Sequence, residues 1–273
     1  MSTLRTFGNA AGAAAVVGGL VLVATPAMAD NHTATVSVLH GIPDTPVDVY
    51  ANGERLIDDF APGTLTDPLE LPAGSYDLAI FAADAPDGSG EPLLSADGVA
   101  VPAGANATVV AHLKEDGSPT LTPFVNDASA VPAGQARVTV RHTAAAPAVD
   151  VRAGGSPVIE GLTNPDEEVL NLDAGSVSAD VVLAGTDEVV LGPADVNLAE
   201  GTNTIVYAWG SAEDGTLDLA VQTIDGLHSA PEGVPSGQGG LADQGALLVL
   251  ALAGAAGAVV AGRRVIRANA TAA

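Results

Sequence analysis

His40, Asp44 and Asp48 are the residues whose types and spacing most invite chemistry in this chain. An imidazole with two nearby carboxylates can hold a divalent ion, and a histidine alone can respond to pH. Two features weigh against a site. Strand alternation along Val47-Asp48-Val49 sends Asp48 and Val49 to opposite faces, and Asp44 falls in a turn flanked by Pro43 and Pro46. The segment also returns 102 positions later as Val138 to Arg152, keeping His142 and Asp150 but replacing Asp44 by Ala146. A site built on all three groups would exist in one copy only. The sequence therefore favours a structural role. His40 and His142 hydrogen-bond to fix the loop after the first strand, and Asp48 and Asp150 cap backbone amides. Any metal reading rests on His40, Asp44 and Asp48.

Other candidates are weaker. Asp84-Ala-Pro-Asp-Gly-Ser-Gly-Glu91 looks like a calcium loop, but its carboxylates miss the spacing of an EF-hand, and it reads as an acidic hairpin tip. Tyr207 and Trp209 lie two apart on a strand pattern and share a face, either a sugar platform or core. No nucleophile elbow, phosphate loop, zinc-protease helix or dinucleotide fingerprint appears, and no catalytic residue or cofactor is assigned.

The elements that would carry these residues lie between two apolar ends. Residues 1–29 have the form of a secretory signal: Arg5, a small apolar stretch, then Ala27-Met28-Ala29 as a cleavage site before Asp30. Residues 246–262 are apolar and are followed at once by Arg263, Arg264 and Arg267. At about 1.5 Å per residue such a helix reaches roughly 25 Å, the short limit for a bilayer core. The arginines place residues 263–273 in the cytoplasm and the preceding chain outside. Residues 226–245, rich in Gly, Pro and Ser, form a spacer.

All thirty-three acidic residues fall between Asp30 and Asp243, where the basic residues are only Arg55, Lys114, Arg137, Arg141 and Arg152. That field repels nucleic acid and anionic headgroups. Cysteine is absent, so no disulfide or thiolate site forms, and each repeat rests on its hydrophobic core.

Between the ends, strand signals dominate. Thr35 to Leu39, Val47 to Val49, Leu69 to Leu71, Asp77 to Phe81 and Thr108 to Leu113 alternate with period two. Arg137 to Val140, Val169 to Leu172, Ala179 to Leu183 and Asn203 to Trp209 repeat the scheme. Asn52-Gly53 aligns with Gly154-Gly155, as a tight hairpin turn requires. Tyr76 follows the Leu71-Pro-Ala-Gly turn as a sandwich-corner tyrosine does, and its hydroxyl is expected to bond nearby backbone, while Val177 in the second copy cannot. The pattern predicts two tandem antiparallel β-sandwiches, residues 30–127 and 134–225, joined by a short linker.

The run His40-x-x-Pro43-Asp44-x-Pro46-Val47-Asp48-Val49-Tyr50-x-Asn52-Gly53, followed by the Leu71-Pro-Ala-Gly-x-Tyr76 turn, resembles the bacterial family called domain of unknown function 4397. The resemblance covers roughly residues 34–225 in two copies, the second lacking the Pro-Asp pair. It implies an Ig-like or transthyretin-like sandwich on an exported protein, often membrane- or wall-attached in high-GC Gram-positive bacteria, and it transfers no activity. The sequence thus points to a noncatalytic cell-surface protein, held in the cytoplasmic membrane by one helix, that serves envelope structure, adhesion or contact with envelope or host proteins. The alternative is a surface module binding calcium, zinc or wall polysaccharide.

Overall fold

The computed structural model describes residues 32–85 and 87–229, and these form sixteen strands. The first eight are β1 (Thr33–Gly41), β2 (Val47–Ala51), β3 (Glu54–Phe60), β4 (Leu69–Pro72), β5 (Gly74–Ala82), β6 (Leu94–Val101), β7 (Asn106–Leu113) and β8 (Pro119–Val125). The second eight are β9 (Gln135–Ala145), β10 (Val149–Ala153), β11 (Ser156–Leu162), β12 (Glu167–Asp173), β13 (Gly175–Leu183), β14 (Val189–Leu198), β15 (Asn203–Ser211) and β16 (Asp218–Ile224). The expected signal and membrane-spanning segments lie outside the described residues. Among those described, no helix is long and apolar enough to cross a membrane.

The described residues are all-β, and the second half of them repeats the first strand for strand. An inner sheet ordered β4-β1-β7-β8 packs on an outer sheet β3-β2-β5-β6, and β12-β9-β15-β16 packs on β11-β10-β13-β14 in the same way. Every strand finds its sheet partners inside its own half. Val38, Val47, Val49, Phe60 and Ile80 fill the first sandwich, and Val149, Val151, Ile159, Leu162 and Val181 the second.

One expectation needs correction. The sandwiches are not purely antiparallel, because β1 pairs with β7 and β9 with β15 in parallel. Parallel neighbours need a long crossover, and here the outer sheet itself supplies it. Alternating patterns mark strands and faces but carry no direction of pairing, so this arrangement was not readable from them.

Local chemistry accounts for the turns. Asn52 and Gly53 both take positive φ, 51° and 82°, as do Gly154 and Gly155, the backbone that a two-residue hairpin demands. The Tyr76 hydroxyl donates to Pro72 O at 2.7 Å, which anchors the corner as expected.

The central strands of the inner sheets, β1, β7, β9 and β15, are buried on both faces. On β1, Val36 and Val38 enter the first sandwich, whereas Leu39 joins a cluster with Val110, Phe124, Ile205, Tyr207 and Trp209. The two inner sheets therefore pack against each other, and the repeats form a stack of four sheets. The start of the expected spacer belongs to this body. Leu227 is buried, and Val131 in the inter-repeat linker bridges to His228.

Candidate functional site

The structure separates the three residues that sequence spacing suggested. His40 is completely buried on β1, and its Nε2 lies 2.8 Å from Thr45 O. Its ring also stacks on Phe60 with centroids 5.7 Å apart. His142 repeats the arrangement, with Nε2 3.0 Å from Pro147 O. Each imidazole closes the loop between the first two strands of its repeat. A ring nitrogen facing a carbonyl must carry the proton, so it has no lone pair there to offer a metal. Asp44 occupies the turn itself with φ 65°, in the left-handed region that Asp tolerates.

Asp48 serves the backbone. Its carboxylate is buried on β2, and Oδ1 accepts the Asp59 amide at 3.0 Å. Asp59 sits at positive φ, 49°, beside a shift in the β2–β3 register. Such a bulge leaves an amide outside the ladder, and Asp48 satisfies it. Asp150 does the same in the second repeat. It accepts Gly161 N at 2.7 Å and Gly185 N at 2.9 Å, and these bonds hold its carboxyl below the usual range. At the bulge, Gly161 has φ 68°.

Among the described residues, one group of carboxylates has the closeness of a metal site: Asp48, Asp58 and Asp59, with ligand oxygens within 4.8 Å of one another. It includes neither His40 nor Asp44. Arg55 already occupies it, with Nη1 2.6 Å from Asp58 and 3.3 Å from Asp48. The geometry is that of a guanidinium bridging two carboxylates.

The calcium-like loop is folded down onto the sheet. A Cβ on Gly88 would lie 2.7 Å from Tyr50 Cε1, so the loop backbone rests on the ring that packs edge-on against Phe81. Asp87 is spent locally, accepting the amide and hydroxyl of Ser89. Glycine is required here by close approach, a constraint invisible in the loop's composition.

The largest concentration of buried polar groups lies where the two inner sheets meet. Arg141 is 1% exposed. Its Nε donates to Glu167 at 2.7 Å, and Nη1 donates to Asn126 Oδ1 at 2.9 Å and to the Tyr207 hydroxyl at 2.8 Å. The guanidinium also lies 4.4 Å above the Phe124 ring. Tyr207 in turn donates to Gln222 Oε1 at 2.6 Å, and Thr108 donates to the same oxygen at 2.9 Å. Gln222 Nε2 reaches Ser37 Oγ at 3.3 Å. Ser37, Thr108 and Asn126 come from the first half of the chain, and Arg141, Tyr207 and Gln222 from the second. Trp209 adds an aromatic wedge. A Cβ on Gly63 would stand 2.7 Å from its Cζ2, and one on Gly41 3.2 Å from its Cβ. Tyr207 and Trp209 do share a face, and that face is interior.

A signal for this joint exists in the sequence, in the differences between copies. The strand registers equate Leu39 with Arg141, Val110 with Tyr207, and Phe124 with Gln222. At these places an apolar residue in one copy faces solvent-shy polar chemistry in the other. Similarity between the copies attracts attention, whereas the joint is written in their divergence.

His112 closes one end of the joint, with Nδ1 2.9 Å from Leu113 O and Nε2 2.8 Å from the Thr122 hydroxyl. Asn164 Nδ2 donates to Leu113 O and Ala144 O at 2.8 and 2.6 Å, tying the repeats together. Burial pushes His40, His112 and His142 below the ordinary imidazole value. All three are thus neutral structural groups at physiological pH.

With the geometry in place, similarity to known proteins can be read. Residues 34–152 match the family model Domain of unknown function (DUF4397). The match spans the whole first sandwich and the first two strands of the second. No curated protein matches the chain. Among solved structures, a candidate cell adhesion protein from Bacteroides ovatus ATCC 8483 aligns over 72% of this chain and 99% of its own, at 10% identity and a TM-score of 0.23. So loose a superposition supports no functional argument, and the DUF4397 match brings no activity with it.

Proposed function

We propose that this is a noncatalytic cell-surface protein whose two sandwiches act as one rigid display body, serving envelope structure, adhesion or protein contact. The observation that carries this reading is the fate of the buried reactive side chains. His40, His112, His142, Asp48 and Arg141 are each engaged in closing a loop, capping a bulge or joining the repeats. A general base or nucleophile needs a free lone pair in a cleft with a substrate beside it, and these groups spend theirs on the fold. His112 borders an open pocket with Lys114 and Asn164, but both its ring nitrogens are held, by Leu113 O and the Thr122 hydroxyl. Sheet-on-sheet packing between repeats supports a body that bears load and presents fixed outer faces.

In this reading, the N-terminal apolar segment exports the chain, and residues 246–262 hold it in the cytoplasmic membrane with the sandwiches outside. The acidic surface favours a basic or neutral protein partner over nucleic acid. Protease added to intact cells should remove the sandwiches and leave a small membrane-held stub. Crosslinking on the same cells should capture envelope or host proteins. A chain that survives whole-cell proteolysis and fractionates with the cytosol would sink the proposal, as would turnover of any substrate that disappears in a His112→Gln variant.

A further inference from the structure

The sandwiches share a framework but not a core. Leu56, Tyr76, Leu78 and Ile80 in the first are replaced at matching register by Val158, Val177, Ala179 and Val181 in the second. Each exchange removes carbon. Val101 to Leu198 adds some back, but not enough. The gap between sheets measures about 30 Å³ in the first repeat and about 80 Å³ in the second.

The larger gap is aliphatic on both walls. Val138 and Leu172 come from the inner sheet, and Val177, Ala179 and Val196 from the outer. Leu172, Val177 and Val196 remain partly exposed, so solutes can enter from the side. A void without polar partners stays dry and accepts apolar guests.

Size and charge narrow the guest. An engineered void of about 150 Å³ holds benzene, so a gap near half that volume rejects a ring. A slot between sheets stacked about 10 Å apart suits one narrow chain. The charged residues at the mouth, Arg152 and Asp180, are committed to each other at 2.7 Å, and Arg152 also holds Asp187. No cation is left there for a carboxylate, and the acidic chain repels one.

We propose that the inter-sheet gap of the second sandwich binds the end of a single unbranched alkyl chain carrying an uncharged or cationic head. This goes beyond the display role and does not depend on it.

The test uses the full chain, purified in a sterol-based detergent that has no alkyl tail. It is irradiated with hexyl diazirine probes bearing hydroxyl, ammonium or carboxylate heads, and labelled peptides are mapped by mass spectrometry. The hydroxyl and ammonium probes should label β13 and β14 and be displaced by 1-hexanol but not by benzyl alcohol. Ala179→Leu, which restores the first repeat's residue, should cut that labelling about tenfold or more. If that variant fails to fold, Val177→Tyr fills the same gap. Labelling spread evenly over the surface, or unchanged in a folded filling variant, would show the gap to be a packing defect. Equal labelling by the carboxylate probe would overturn the assignment of the head.

Discussion

Arg141 stacks its guanidinium 4.4 Å above the ring of Phe124, across the boundary between the two repeats. In the duplicated framework Arg141 stands where the first copy has Leu39, and Phe124 stands where the second copy has Gln222. Each copy carries the side chain that fits the other. The joint is therefore specific to this pairing of unlike faces: two copies of the first face would carry neither Arg141 nor Gln222, and two copies of the second would lack the Phe124 ring.

Removing the charge at the centre of that joint should be severe. Arg141→Met leaves Asn126 Oδ1 and the Tyr207 hydroxyl short of a donor in a closed interior, while the exposed Glu167 turns to water. Leaving buried polar groups unsatisfied in this way costs about 1–3 kcal/mol each. Urea denaturation should show a loss of that order. A loss below about 1 kcal/mol would mean that water reaches the site and replaces the bonds.

Trp209 is the chain's sole tryptophan and lies within the joint, so its fluorescence reports on contact between repeats. Gly63→Ala should disturb it, because the added methyl meets the indole at 2.7 Å and the residue keeps a φ of 73°. Overpacking of this kind costs about 1–3 kcal/mol. Emission should shift to the red at a lower denaturant concentration than in the parent. In the parent, fluorescence and circular dichroism should trace one coincident transition. Separate transitions would show that the repeats unfold independently.

The bulge positions offer a matched pair. Asp59 and Gly161 occupy equivalent places, both at positive φ, and open space surrounds Gly161. Gly161→Val should cost about 1–2 kcal/mol, because a branched side chain resists the left-handed region. Gly161→Asp should cost visibly less, as the first repeat already carries aspartate there. Asp48→Ala, which strands the Asp59 amide, should cost about 1–3 kcal/mol. Thermal melts rank the three variants, and equal losses for valine and aspartate would refute the backbone argument.

Mild acid should weaken the fold through its buried histidines. His40, His112 and His142 are held below their ordinary value by burial, so the unfolded chain takes up protons that the folded chain refuses. Above about pH 6.5 both states are neutral and stability is complete. As pH falls through 6.5 toward the folded values, stability declines. Melting temperature measured between about pH 8 and 5 should be flat above 7 and fall below 6.5. A melting point that stayed level down to pH 5 would show that water or a counter-ion stabilises the charged imidazoles inside.

Much of this architecture follows from residues alone. The repeat at a spacing of 102, the all-β character, the Asn52-Gly53 hairpin and the Tyr76 corner are local properties. Each depends on alternation or on turn chemistry within a few residues. The structural roles of His40 and Asp48 were legible for the same reason, since Thr45 and Asp59 lie close along the chain. Alternation told which residues of β1 share a face. It did not tell that Ser37 and Leu39 would meet Gln222 and Tyr207, residues far away in the other copy. Such partners are chosen by how whole sheets stack, and both apolar and hydrogen-bonded faces can satisfy that stacking. The parallel pairing of β1 with β7, the burial of Arg141 and the unfilled gap beside Ala179 were thus decided only in three dimensions, where side-chain volume and hydrogen-bond satisfaction act across the fold.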